Sequence, residues 1–312
     1  MGKRKESYLE SELSGSGARK KKKKRRKMDA VSRVILVISV IVFLGSGGYL
    51  IYKYFGEPFL EQLELASYKK DYNSEEPSQA EDGVWNNDQD DEEEERLPDG
   101  TLASFKEIRE LNGDVVGWIT IPDTLIDYPV VQAKDNNFYL RHNINKEYNY
   151  SGCPFLDYRN DVRPDSDTRN LIIYGHHRRN GTMFAQLKKY NDVDFYKENP
   201  VLRFDTIYER SEWIIFSNFR ATTSWATGTP FNYIQTDFKE DKDYLDFVGE
   251  LKKRSLITTP VEVRADDQIL LLSTCSYEKS NWRMVIAARR VRDDETSIDV
   301  SAAVKASNPL MP

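Results

Sequence analysis

Leu270-Leu271-Leu272-Ser273-Thr274-Cys275 is an apolar run that stops on a thiol, and behind Arg283 a second apolar run opens, Met284-Val285-Ile286-Ala287-Ala288. A short leucine-rich or β-branched run bounded by polar residues reads as a buried strand. Its terminal residue can face a cleft while the strand itself stays rigid, which suits a nucleophile. The same stretch also fits a structural role, because free cysteine behaves as a small hydrophobe and is often fully buried.

Working outward, the chain has three histidines, His142, His176 and His177, and two of them follow Leu171-Ile172-Ile173-Tyr174-Gly175, another apolar run that ends on reactive groups. An unperturbed thiol is only a few per cent thiolate at neutral pH, so a nucleophilic cysteine needs a base or a cationic neighbour, and a histidine supplies either. Arg283 adds a permanently charged guanidinium able to stabilise an oxyanion, and it falls beside Cys275 if the last two strands pair as a hairpin. Each residue has a plainer alternative: a loop hydrogen bond for His176, a surface ion pair for Arg283. A zinc site from Cys275, Cys153, His176 and His177 is a rival, but adjacent histidines are poorly spaced as ligands and no Cys-x-x-Cys occurs. No metal is expected.

The chain has 312 residues and two cysteines, Cys153 and Cys275, so no disulfide framework holds it and it must fold by its core. Arg19–Lys27 is unbroken basic sequence, and Val34–Tyr52 is an uncharged, mostly apolar stretch. As a helix that stretch is about 28 Å long, close to the hydrocarbon thickness of a bilayer. The basic flank predicts a cytoplasmic N-terminus and an outward C-terminal bulk, a single-pass type II signal anchor. A cleaved signal peptide is the competitor, with small residues at Gly45-Ser46-Gly47-Gly48, although the stretch is long for one. Residues 1–29 carry a net +8 in a chain of net −6, so the remainder is net −14. An acidic exported domain excludes nucleic acid as a partner, and the basic block serves topology and anionic lipid.

Asp71–Asp99 holds thirteen acidic residues against Arg96 alone, including Asp90-Asp91-Glu92-Glu93-Glu94-Glu95, and reads as a self-repelling tether. It lacks the ligand alternation and glycine of a calcium loop. The organisation expected is a basic cytoplasmic tail over 1–29, a transmembrane anchor over 30–55, an acidic extracellular linker over 56–100, a catalytic domain over 101–295 and a C-terminal tail over 296–312. In the domain, Leu102, Phe105, Ile108 and Leu111 repeat at a helical period. Nine short runs follow, Val115–Ile121, Ile126–Val131, Gly152–Leu156, Leu171–Tyr174, Val201–Phe204, Trp213–Ser217, Val261–Val263, Ile269–Ser273 and Arg283–Val291. Their turn signals predict a mainly antiparallel barrel or sandwich. Helical patterns interrupt them at Thr182–Tyr190 and at Phe238–Arg254, where Phe238, Tyr244, Leu245, Phe247, Val248 and Leu251 mark an apolar face.

From about Ser104 to Val291 the chain resembles a class B sortase, a membrane-anchored cysteine transpeptidase of Gram-positive bacteria. The resemblance is carried by Asn136-Asn137-Phe138-Tyr139-Leu140-Arg141-His142-Asn143, Gly152 to Asn160, Asn170 to His176, Gly181-Thr182-Met183-Phe184, Asn232-Tyr233-Ile234, and Leu272-Ser273-Thr274-Cys275 followed by Arg283. It implies a mainly β fold, an eight-stranded sortase barrel with an N-terminal helix and a surface helix, Phe238–Arg254, before the penultimate strand. It implies Cys275 as nucleophile, His176 as general acid/base and Arg283 as oxyanion or substrate-positioning group. It also implies a peptide groove lined by Asn136 and Leu140, walled by Thr229, Tyr233 and Ile234 and floored by Ser273. The implied partners are secreted proteins bearing a C-terminal sorting signal and an amine of lipid-linked peptidoglycan precursor; the implied location is the outer face of the cell membrane. No cofactor is required by this route. A pilin-polymerising enzyme using a protein lysine, and a silent membrane-tethered binding protein, are the alternatives. The chain departs from the family signature at Leu271, where a Thr is usual, and at Ser276, often acidic in relatives, with Glu278 two residues on. Cys153, in Gly152-Cys153-Pro154-Phe155-Leu156, is expected to be a buried structural thiol.

Overall fold

A computed structural model describes residues 29–72, 95–222, 225, 228–275, 282–307 and 309, and divides into two compact units, 1–58 and 59–312. In the first unit, helix α1 (Ala30–Ile51) starts at Asp29, whose side chain accepts from the Ser32 backbone N–H, and a π-helical turn, Tyr52–Gly56, follows. The span Ala30–Gly56 contains an 18-residue stretch of mean hydropathy 2.5 with no buried residue, so its length and composition suit a membrane crossing.

The second unit is a closed barrel of eight strands: β1 (Val115–Thr120), β2 (Asp127–Val131), β3 (Phe155–Leu156), β4 (Asn170–Gly175), β5 (Val201–Thr206), β6 (Glu212–Thr222), β7 (Ile269–Cys275) and β8 (Trp282–Arg290). The order around it is β1-β2-β3-β4-β7-β8-β6-β5. The β2–β3 and β4–β7 pairs are parallel and the others antiparallel. Ile269, Leu270, Leu271 and Leu272 are all fully buried, which explains why β7 reads as a continuous apolar run instead of an alternating one. Leu271, the departure from the signature, lies in this packed core.

The run Val261–Val263 is not a strand. The closed barrel leaves it no edge to join, and side chains take its carbonyls instead: Lys252 Nζ donates to Val261 O at 2.9 Å and Arg289 Nε to Glu262 O at 2.8 Å. The leading helical pattern is a 3-10 turn, Ala103–Phe105, running into α3 (Lys106–Leu111), and that change of pitch leaves Leu111 exposed while Leu102, Phe105 and Ile108 are buried. Thr182–Tyr190 corresponds to a 3-10 segment, Phe184–Asn191, beside the short α4 (Val193–Glu198). The surface helix α5 (Asp241–Lys253) buries Tyr244, Phe247, Val248 and Leu251; Leu245 is exposed.

Two expected boundaries differ. Part of the supposed linker is helical, α2 (Glu57–Tyr72): Tyr72 is buried, stacks on Trp118 at 4.5 Å between ring centroids and donates to Asp205, while Lys69 pairs with Asp127. Residues 73–94, most of the acidic run, lie outside the described residues. The supposed tail forms α6 (Ser297–Ala306), capped by the Thr296 side chain and anchored by fully buried Val304. A sparse apolar face hid both helices from a reading based on hydrophobic runs.

Candidate active site

The site sits where three neighbouring strands end. β4 and β7 run parallel with Gly175 opposite Thr274, so His176 and Cys275 are the next residues on adjacent chains. β7 and β8 are antiparallel with Cys275 opposite Arg283, as the hairpin reading required. The Cys275 side chain and residues 276–281, including Ser276 and Glu278, lie outside the described residues.

Gly175 sets the approach to His176. A Cβ there would fall 2.6 Å from the Phe184 ring, so the last residue of β4 must be glycine for the strand to pass beneath it. The Phe184 N–H then donates to His176 O at 2.9 Å, which fixes the backbone of the turn. The imidazole is half-buried with Nε2 2.8 Å from Leu140 O. A carbonyl can only accept, so Nε2 carries the proton and Nδ1 is left with the lone pair in the neutral ring. Burial holds the His176 pKa below the ordinary imidazole value; the bond to Leu140 opposes this, and the charges of Arg141, Arg178 and Arg283 reinforce it. His177 instead makes a backbone bridge to Met183. His142 stacks on Phe138 at 4.1 Å, with Nδ1 donating to Phe138 O.

Four of the six expected groove residues are tied together. Tyr233 and Ser273 share a hydroxyl–hydroxyl bond of 2.9 Å, and Ser273 is paired with Tyr174 across β4 and β7. The Tyr174 hydroxyl donates to Asp157 Oδ2 at 2.8 Å, as does Asn136 Nδ2 at 2.9 Å. Arg159 grips both oxygens of Asp157 at 2.8 Å and passes a further bond of 2.9 Å to Ile234 O. Leu140 stands beside them, its carbonyl held by His176. Thr229 is exposed, and among the described residues it shares no hydrogen bond with this network.

Asp157 is the residue that the strand-end reading missed. It is fully buried, and burial alone would push its pKa up; donors from Arg159, Tyr174 and Asn136 outweigh that and hold the carboxyl below the ordinary range. The same pairing raises the Arg159 pKa, and burial beside the Asp157 charge raises that of Tyr174. A carboxylate two residues before an arginine, Asp157-Tyr158-Arg159, was the available signal. Cys153 is buried, as expected, and burial pushes its thiol up to about 12. Among the described residues, no charged group lowers its pKa toward a thiolate. Among the described residues, no group of three or more His, Cys, Asp and Glu is placed to hold a metal ion.

Comparison with known proteins gives this geometry a family. The Sortase domain model matches residues 119–291. The chain is 41% identical over 189 residues to sortase B of Listeria monocytogenes, covering 60% of this chain and 74% of that protein. This chain belongs to the class B sortases. It is 36% identical over 190 residues to sortase B of Staphylococcus aureus, covering 60% and 75% of the two. A crystal structure of sortase B from Bacillus anthracis superposes with a TM-score of 0.62 at 35% identity, over 76% of this chain and 99% of that one. A Staphylococcus aureus sortase B–substrate complex gives 0.62 at 29% identity, over 76% and 99%. Membership makes this sortase a cysteine transpeptidase of the kind that anchors surface proteins to the cell wall.

Proposed function

We propose that Cys275 is the nucleophile, His176 the general acid/base and Arg283 the oxyanion partner of a transpeptidation on a C-terminal sorting signal. The observation that carries the reading is the register of three strand ends, Gly175 opposite Thr274 and Cys275 opposite Arg283. His176 takes the thiol proton, and the Cys275 sulfur attacks the Thr carbonyl of the signal. The tetrahedral oxyanion gains hydrogen bonds from Arg283 that the planar carbonyl lacks, which lowers the barrier instead of merely tightening binding. His176 returns the proton to the leaving amine, the C–N bond breaks, and a thioester remains. An acceptor amine then attacks the thioester; its proton passes through His176 to the departing thiolate.

Asn136, Leu140, Tyr233, Ile234 and Ser273 form the peptide groove in this reading, with Thr229 on its exposed wall. Asp157 and Arg159 are positioning residues that hold Asn136 and the Ile234 carbonyl in register. The acceptor is an amine of peptidoglycan precursor. The apolar helix Ala30–Gly56 behind the basic segment Arg19–Lys27 supports a single-pass type II anchor with the barrel outside the cell.

The test is mass spectrometry of the full-length protein in non-ionic detergent, incubated with family-type sorting peptides. A thioacyl adduct mapped to Cys275 is the expected result. An adduct that survives Cys275→Ala, or none with any peptide, sinks the assignment.

A further inference from the structure

Beside His176 lies a pair of cations that the peptide groove does not use. The guanidinium carbons of Arg141 and Arg178 stand 4.2 and 5.7 Å from the centre of one ring, that of Tyr150, which is itself half exposed. Arg141 directly follows Leu140, whose carbonyl binds His176, and Arg178 is two residues beyond His176. Chain reach therefore keeps both backbones near the imidazole, and the charges of both arginines act on it. Among the described residues neither guanidinium has a carboxylate partner, and Arg178 Nε is buried with no acceptor.

Many other arginines of the barrel are neutralised: Arg159, Arg203, Arg289, Arg290 and Arg292 all engage carboxylates. Two guanidiniums braced on one aromatic ring and, among the described residues, left without a counter-charge are arranged to receive an anion, and the planar fork of each suits a carboxylate. Among the described residues, no side-chain hydrogen bond joins Arg141 or Arg178 to the groove network of Asn136, Asp157, Arg159, Tyr174, Tyr233 and Ser273; the Leu140–His176 bond lies between the two. An anion bound here thus arrives with the second substrate, whose amine must reach His176, and its charge must lie close to that amine.

We propose that Arg141 and Arg178, splayed on Tyr150, form a carboxylate-recognition site for the amine acceptor. The acceptor class is then an amine with a carboxylate on the same or the adjoining carbon, as at an amino-acid terminus, in preference to a neutral peptide-bridge terminus or a protein lysine. The inference rests on the assignment of Cys275 and His176 above. The chemistry is the second half of that reaction: the amine nitrogen bonds to the thioester carbonyl carbon, the C–S bond breaks, and the amine proton passes through His176 to the thiolate. The carboxylate itself does not react.

The experiment uses the full-length protein in maltoside micelles, a sorting peptide, and two probe acceptors, glycine and glycinamide, at equal free-amine concentrations. Initial transfer rates are read by chromatography with mass detection. The wild type should favour glycine, and the glycine-to-glycinamide ratio should fall about tenfold in R141Q/R178Q, the scale of one lost charge-assisted hydrogen bond. The single variants should fall between. Taking a ratio cancels partial misfolding and the intrinsic reactivity of each amine. An unchanged ratio in the double variant, a wild type that favours glycinamide or transfers to neither, or peptide cleavage without acceptor that falls as far as glycine transfer, each overturns the proposal. Failure of the wild type to form any Cys275 thioacyl adduct is a different result and strikes the underlying assignment instead.

Discussion

Asp157→Asn separates the electrostatic role of the buried carboxylate from its shape. In the wild type, Asp157 accepts Nε and Nη2 of Arg159 at 2.8 Å, the Tyr174 hydroxyl at 2.8 Å, Asn136 Nδ2 at 2.9 Å and the Arg159 backbone N–H at 3.1 Å. An amide offers one acceptor where two stood and turns its own N–H groups toward donors. Breaking a buried ion pair costs about 3–5 kcal/mol, and because the Arg159 side chain is 33% exposed the lower end, about 3 kcal/mol, applies. For a domain of this size that is a fall in Tm of about 6–12 °C. The folded carboxyl titrates below its ordinary range, so its contribution is complete above the unfolded-state pKa of about 3.9 and is lost as pH falls through the lower folded value. The amide has no such dependence, so the gap between wild type and variant must close in acid. Thermal unfolding of the full-length protein followed by near-UV circular dichroism, at neutral pH and stepwise into acid, measures both. A gap below about 1 kcal/mol at neutral pH, or one that stays constant on acidification, would refute the account of Asp157 as a charged hub.

Gly175→Ala drives a methyl into the Phe184 ring and should cost about 1–3 kcal/mol, with a larger fall in kcat than in KM; Phe184→Leu in the same chain should recover part of the Tm loss, and no recovery would deny the contact its role. The acid limb of the kcat/KM profile should lie below pH 6.5, because the neutral imidazole is favoured by burial and by three arginines; Arg178→Gln should shift it upward, and a downward shift would reverse the reasoning. Cys153 should resist iodoacetamide at pH 8 in the folded Cys275→Ala variant and react after denaturation, as peptide mapping would read out; labelling of the native variant would contradict a thiol held near 12.

The parts of this fold that were legible in the sequence are those where burial is symmetric. β7 and β4 are apolar on both faces, so Ile269–Leu272 and Leu171–Ile173 stood out without any need of alternation. Their ends carried His176 and Cys275 into view, and hairpin pairing carried Arg283. Val261–Val263 has the composition of a strand, and only closure of the barrel denies it a partner. Among the described residues, helices α2 and α6 bury few large apolar side chains, Tyr72 and Val304, with Tyr68 and Val300 partly buried against the core, which leaves little periodic signal. Asp157 was hidden for another reason: beside Arg159 in sequence it reads as an ordinary local ion pair until Tyr174 and Asn136, from other elements, also converge on it. The same holds for Arg141 and Arg178, since only their common contact with Tyr150 distinguishes them from surface arginines.

The parallel pairing of β4 with β7 has a consequence for biogenesis. Some hundred residues, including β5, β6 and α5, intervene between the two partners, so His176 and Cys275 cannot meet through local structure. Loop closure over that distance is entropically costly and comes late in folding. A nascent or partly folded chain therefore carries its thiol without its proton acceptor, and catalytic competence switches on only when the penultimate strand inserts.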